Sequence, residues 1–159
     1  MGVRKIIILL VVLAILTGCL AGRKTGKTTE TKIETVIGTA RSYIGTPYRY
    51  GGTTRSGMDC SGLLVVSFRS AGIQIPRTSK EQSRYGKKVG IDDLRPGDMV
   101  FFAAKKWRRG VSHAGLVTHV QGKRSVTFIH SSTSLGVVET ELHTDYYRSI
   151  FVRAIRPEY

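Results

Sequence analysis

Asp59-Cys60-Ser61-Gly62-Leu63-Leu64-Val65-Val66-Ser67-Phe68-Arg69-Ser70-Ala71-Gly72 is the stretch on which the reading of this chain turns. Apolar residues recur at helical spacing from Leu63 to Ala71, and Gly72 closes the run. Cys60 therefore falls in the first turn of a predicted helix. Unpaired backbone N–H groups and the positive end of the helix dipole favour a thiolate there, so the thiol pKa is expected below its free value of roughly 8.5. A cysteine taken alone reads equally as a small buried hydrophobe or as half of a disulfide. The rest of the chain has to decide.

Working outward, Ile33, Val36, Ile37, Ala40 and Ile44 recur at helical spacing before it, and Gly45 and Pro47 end that helix. Tyr48-Arg49-Tyr50-Gly51-Gly52 is a turn-rich approach to Cys60. After the Cys60 helix, Thr78 and Glu81 have the spacing of a helix capping box over Ser79 to Tyr85. The spacing predicts three helical segments before any strand. From the Arg95-Pro96-Gly97-Asp98 turn onward the pattern changes to β-branched and aromatic runs: Met99–Phe102, Ser112–Val120, Ser125–Ser131, Val137–Glu141 and Ser149–Ile155. The fold class is α+β, with N-terminal helices packed on one face of a C-terminal antiparallel β-sheet.

The chemistry depends on whether that sheet brings a base to the thiol. Residues 113, 115, 117 and 119 share one side of an ideal strand, and an even-numbered loop over Gln121–Arg124 puts 115 opposite 130. His113 and His130 then share a face as diagonal neighbours, about 7 to 8 Å apart at Cα. Gly115, opposite His130, leaves room for the rings to meet. His119 lies roughly 20 Å along the strand from His113. It and His143 are expected to be structural or surface residues.

The N-terminus accounts for the other cysteine. Arg4 and Lys5 precede an apolar run from Ile6 to Leu16, too short to span a bilayer and of the kind that forms a signal-peptide core. Leu16-Thr17-Gly18-Cys19 resembles the bacterial lipobox, whose cysteine is lipid-modified. The expected organisation is a signal peptide over 1–18, a lipidated Cys19 and flexible tether over 19–33, and one domain over 34–159. A lipidated Cys19 cannot pair with Cys60, which is left as a lone thiol. The formal charge of +14 comes from Lys and Arg scattered along the chain, with no nucleic-acid signature beside them. An anionic surface or polymer is the expected partner, and nucleic acid is not.

Six short motifs, in order, resemble the NlpC/P60 family of papain-like cysteine peptidases: Tyr48-Arg49-Tyr50-Gly51-Gly52, Asp59-Cys60-Ser61-Gly62-Leu63, Ile75-Pro76-Arg77-Thr78-Ser79, Leu94-Arg95-Pro96-Gly97-Asp98, His113-Ala114-Gly115 and Phe128-Ile129-His130. The resemblance covers about Glu34 to Arg156 and is nearest to small, single-domain envelope lipoproteins that act as murein endopeptidases. It implies that Cys60 is the nucleophile, His113 the general base and His130 the group that orients it. It also implies that the Tyr48 hydroxyl lies near the oxyanion site, and that Asp59 and Ser61 flank the nucleophile, at positions which in some relatives contact the substrate. Tyr50 stands where many members have tryptophan, a departure that bears on the substrate groove.

The implied activity is hydrolysis of amide bonds in peptidoglycan peptides, at a cross-link or within the stem, without cofactor or metal. Zinc is the competing use of one cysteine and two histidines, but no close ligand pair has the spacing of known zinc motifs. Two other readings stay open: a lipoprotein of the same fold that only binds wall peptides or a partner, and a wall amidase of related fold. The remaining expectations are a monomer, anchored to the membrane through Cys19. Because Leu20 is not the aspartate that retains some lipoproteins at the inner membrane, the expected place in a Gram-negative cell is the outer membrane, facing the periplasm.

Overall fold

A computed structural model describes residues 28–107 and 110–159; the signal segment, the lipobox with Cys19 and most of the tether lie outside the described residues. Contacts divide the chain into Met1–Lys32 and Ile33–Tyr159. Residues 28–42 are helical (α1), so helix already occupies residues 28–33, which the sequence reading gave to the tether. Val36, Ile37 and Ala40 are buried on one side of α1. Ile44 is not the fifth member of that stripe: it sits in the turn after the helix and is 53% exposed. Gly45, at φ 86°, makes that turn, and its N–H bonds the carbonyl of Val137 at 2.9 Å.

A small hairpin, β1 (Thr53–Thr54) with β2 (Gly57–Met58), leads directly into α2 (Cys60–Ser70). Cys60, Ser61, Gly62, Leu63, Leu64, Val65, Ser67 and Phe68 of α2 are buried, so this helix is the central one. It ends as a Schellman turn: Gly72 at φ 74° lets its N–H bond the Arg69 carbonyl while the Ile73 N–H bonds that of Phe68. α3 (Ser79–Gln82) carries the capping box expected of Thr78 and Glu81. The short strands β1 and β2 precede α2 and α3, so helices do not come before every strand, and β3 (Lys87–Val89) follows α3.

The sheet comprises β3, β4 (Met99–Ala103), β5 (Val111–Val120), β6 (Val126–Ser132), β7 (Gly136–Glu141) and β8 (Phe151–Arg156), in the order β3-β8-β4-β5-β6-β7. Every neighbouring pair is antiparallel. Met99, Phe101, Ala114, Leu116, Ile129 and Ile155 pack on one face with Val36, Leu63, Leu64 and Phe68 of α1 and α2. The opposite face is also covered: Val100, Phe102, Val117, Phe128 and Ala154 pack against Leu94, Leu142 and Ile150 of α4 (Asp145–Ile150). Burial on both faces is why Met99–Ala103 reads as an unbroken apolar run rather than an alternating one.

The β5–β6 register departs twice from the expected one. Val120 faces Val126 and His119 faces Thr127, so the connecting loop is one residue longer than an even hairpin; an irregularity between Val117 and His119 then restores Val117↔Phe128 and Leu116↔Ile129. The extra residue, Thr118, is a β-bulge, and it reverses the facing of everything beyond it. Val120 consequently shares the Val117 face, and the exposed His119 lies on the other face from His113, not on the same one.

Candidate active site

Cys60 begins α2 because Asp59 caps it. The Asp59 backbone is extended (φ −92°, ψ 173°), and its carboxylate accepts from the Gly62 N–H at 2.6 Å. The same carboxylate accepts from the Gly51 N–H at 2.8 Å, fixing the turn of the Tyr48–Gly52 segment over the helix start. Gly62 permits this approach, since a Cβ there would strike the Gly52 carbonyl oxygen. Arg77 closes the arrangement with bonds of 3.0 and 2.8 Å to the two carboxylate oxygens of Asp59 and of 2.8 Å to the Ser61 hydroxyl. Burial pushes the Asp59 carboxyl up, but Arg77 and the two backbone N–H groups outweigh it and hold the group below the usual carboxylate range. The fully buried Gln82 of α3 donates to the Ser61 carbonyl at 3.1 Å, tying α3 to the same turn.

The Cys60 side chain is buried, 7% exposed, against β5, where the backbone N–H of Ala114, the residue after His113, reaches the sulfur. This corrects the expected thiolate. Burial pushes the thiol up, the N–H groups of Ala114, Ser61 and Cys60 only partly offset it, and the Asp59 carboxylate adds to the rise. The resting group is a neutral thiol.

His113 and His130 meet as expected: Nε2 of His113 lies 2.9 Å from Nδ1 of His130, with the rings at 89° and centroids 5.0 Å apart. Because Nε2 is engaged, Nδ1 is the nitrogen of His113 left to act on a thiol. Desolvation lowers His113 to about 4, and desolvation together with the His113 charge lowers His130 to about 3, so both rings are neutral near pH 7. Gly115 makes room for a different ring from the one expected. A Cβ on it would lie 2.5 Å from Cδ2 of Phe128, and Phe128 stacks on His130 at 4.9 Å and 24°. The glycine thus serves the histidine pair through Phe128.

A groove of about 330 Å³ opens over the thiol, lined by Tyr48, Tyr50, Asp59, Cys60, Ser61 and Arg77 among others. Tyr48 is held there by a parallel bridge to Met58. Burial and the nearby Cys60 and Asp59 raise its hydroxyl above the ordinary tyrosine value, so it stays a proton donor. Tyr50 stands 89% exposed at the rim. The structure therefore gathers Tyr48, Asp59, Cys60 and Ser61 about one groove and joins His113 to His130 beside it. His119 is excluded. His143 also lies elsewhere, and its two ring nitrogens are shut off from solvent without a hydrogen-bond partner.

Three residues of this site carried no role in the sequence reading. Arg77 stood inside a quoted motif, but its partner Asp59 is 18 residues away and nothing local signals the pair. Thr140 and Tyr147 reach His130 from β7 and α4, at 3.1 and 3.2 Å from its Nε2. The available signal for α4 was Thr144-Asp145, a helix cap and an acidic first-turn residue between the predicted strands Val137–Glu141 and Ser149–Ile155. Among the described residues, no group of three or more His, Cys, Asp or Glu side chains is placed to hold a metal ion.

The chain is 43% identical over 118 residues to a probable endopeptidase NlpC of Escherichia coli, a match spanning 73% of this chain and 72% of that one. It is 37% identical over 113 residues to the murein DD-endopeptidase/LD-carboxypeptidase MepS of the same organism, covering 70% of this chain and 56% of that protein. A crystal structure of an NlpC/P60 family protein from Bacillus cereus superimposes with a TM-score of 0.70 at 33% identity, over 78% of this chain and 39% of the other. The model of the NlpC/P60 family matches residues 45–156, which hold the capped Cys60 helix and both histidines, and the chain belongs to that family.

Proposed function

We propose that this protein is a cysteine peptidase that hydrolyses amide bonds in peptidoglycan peptides. One observation carries the reading: a buried thiol at a helix start lies against the strand step bearing His113, whose far nitrogen is held by a second histidine. The relatives named as endopeptidases supply the class of substrate.

Both groups rest neutral, so the first step is general-base catalysis rather than attack by a preformed thiolate. His113 Nδ1 takes the proton as Sγ bonds to the amide carbonyl carbon, and the carbonyl π pair moves onto oxygen. The backbone N–H of Cys60 and the Tyr48 hydroxyl are the donors for that oxyanion; removing one such donor typically costs about 2.7–4 kcal/mol. The C–N bond breaks as His113 passes its proton to the departing amine, leaving a thioester on Cys60. Water, deprotonated by His113, then attacks the thioester, releasing the peptide acid and returning the proton to sulfur. Throughout, His130 accepts the His113 Nε2–H and stabilises the transient imidazolium. Asp59, Ser61 and Arg77 form the polar wall of the groove and take the substrate main chain or its charged ends.

Digestion of purified muropeptides by protein lacking residues 1–19, read by mass spectrometry, tests the proposal. Cleavage between D-residues identifies a cross-link endopeptidase and cleavage after D-glutamate a stem peptidase; intact muropeptides beside an active control refute hydrolysis and leave a wall-binding protein. The lipobox supports the further proposal that Cys19 carries lipid and anchors the protein in the outer membrane, facing the periplasm. Palmitate labelling and membrane fractionation of wild type and Cys19→Ser test it, a soluble and unlabelled wild type being the refuting result.

A further inference from the structure

The His130 Nε2 nitrogen does not end the chain of contacts that starts at the thiol. Thr140 Oγ1 lies 3.1 Å from it and Tyr147 Oη 3.2 Å. These oxygens come from different elements. Thr140 is on β7, paired across the ladder with Phe128; Tyr147 is on α4, after the Thr144 cap. The Tyr147 ring is fixed by edge contact with Phe128 at 4.9 Å and by Phe102 at 5.3 Å, so the position of its hydroxyl is set by packing.

Which way the protons run decides whether His113 can act. A neutral imidazole has one N–H and one bare nitrogen. If His130 carries its proton on Nε2, its bare Nδ1 accepts from His113 Nε2–H, and His113 Nδ1 is free to take a proton. If His130 carries it on Nδ1, that N–H points at His113 Nε2, and His113 must hold its own proton on Nδ1, where it blocks the reaction. The same heavy-atom distances thus admit one active and one inactive arrangement.

We infer that Thr140 and Tyr147 are positioning residues which, as a pair of acceptors on the His130 Nε2–H, select the active arrangement of both histidines. Two oxygens can share one N–H in a three-centre bond, whereas one imidazole lone pair accommodates a single donor well. Both hydroxyl oxygens, that of Thr140 and that of the Tyr147 phenol, can accept from that N–H. Burial keeps that phenol protonated, so it does not become an anion that would change the balance. The inference deepens the peptidase reading and rests on it for its consequence in turnover, but the proton arrangement is a property of the resting protein.

The experiment uses 15N-histidine labelling of the protein lacking residues 1–19, with long-range 15N–1H correlation at pH 7 to report the tautomer of each ring. Thr140→Val, Tyr147→Phe, their double variant and Thr140→Ser are compared. Wild type and Thr140→Ser should show His130 and His113 protonated at Nε2, with equal rates of Cys60 alkylation by iodoacetamide. The single variants should keep the tautomer, with kcat lowered severalfold and KM unchanged. The double variant should show Nδ1 protonation of both rings, with kcat and alkylation both lowered by roughly 10- to 100-fold, the typical cost of removing an outer-shell partner. Unchanged tautomers and alkylation in the folded double variant would overturn the inference, as would a rise in KM at constant kcat. Should no wall peptide be cleaved by any form while the tautomers respond as stated, the peptidase reading fails and the positioning role stands.

Discussion

Gly115→Ala is the smallest change that tests how the fold holds the histidine pair. The backbone at Gly115 is not in the left-handed region, so alanine brings no conformational strain. The problem is space: its Cβ would lie 2.5 Å from Phe128 Cδ2, 3.0 Å from Cε2 and 3.0 Å from the Ile129 carbonyl oxygen. Carbon atoms pack best near 3.5–4.0 Å, so the ring must retreat by about 1 Å. It has no slack, being fully buried between Phe102 at 5.2 Å and Tyr147 at 4.9 Å. Overpacking of this kind costs about 1–3 kcal/mol, which for a chain of this size lowers Tm by roughly 2–12 °C. Activity should suffer more than stability, because the displaced ring is the one stacked on His130, and a misplacement near 1 Å in catalytic geometry can cost about 100-fold in rate. Thermal unfolding and muropeptide turnover are measured for Gly115→Ala, Phe128→Leu and the double variant. The double variant should recover part of the Tm lost by Gly115→Ala, since leucine vacates the contested volume. Wild-type Tm and turnover in Gly115→Ala would show that Phe128 is not what the missing side chain accommodates.

Other changes address the site directly. Cys60→Ser and His113→Ala should each abolish muropeptide cleavage in a folded protein, His130→Ala should leave a residue of activity, and His119→Ala should be silent; a damaging His119→Ala with intact circular dichroism would refute the site. Urea midpoints should fall as pH drops from 6.5 toward about 4. The unfolded histidines take up protons in that window while the buried pair resists them, so stability is lost by up to about 1.4 kcal/mol per pH unit for each ring. His130→Asn should flatten that slope, and an unchanged slope would mean the pair titrates normally. Arg77→Met removes three charge-assisted bonds from Asp59 and Ser61 and, with Arg77 partly exposed, should cost about 1–2 kcal/mol at pH 7. Asp59 is held low, so this loss is fully present above its unfolded value and should vanish as acid protonates the carboxylate; equal loss at all pH values would exclude the ion pair as its source. Finally, thiolate absorbance near 240 nm should be absent at pH 7 and appear only above the ordinary cysteine range, the opposite of a preformed ion pair.

The helix that begins at Cys60 and the pairing of His113 with His130 were legible because both rest on periodicity, which a core on each side of an element enforces. The register was legible for a less direct reason. An even loop over 121–124 gives Gly115 opposite His130, and the molecule reaches the same alignment through a longer loop and a bulge at Thr118. Nothing in Val117-Thr118-His119 marks a bulge, so the facing of His119 could not be read. The pKa of Cys60 was misread because the helix-start effect is local and visible in sequence, whereas the burial that overrides it is made by β5, over 50 residues later. Arg77, Thr140 and Tyr147 share this limit. Each acts through a partner on another element, and Tyr147 does so from a helix of six residues, too short to give a periodic signal.

The bulge also separates the histidine pair from the connection beyond it. The turn over Gln121–Ser125 closes on a 2.8 Å bond from the Gln121 N–H to the Ser125 carbonyl, and residues 121–124 are exposed. Alignment at Leu116 and Ile129 is set below the irregularity, where β5 is also locked to β4. Inserted sequence at Gly122–Lys123 is therefore absorbed outside the region that orients His113. This is the position at which to splice in a reporter domain without disturbing the alignment that orients the histidine pair.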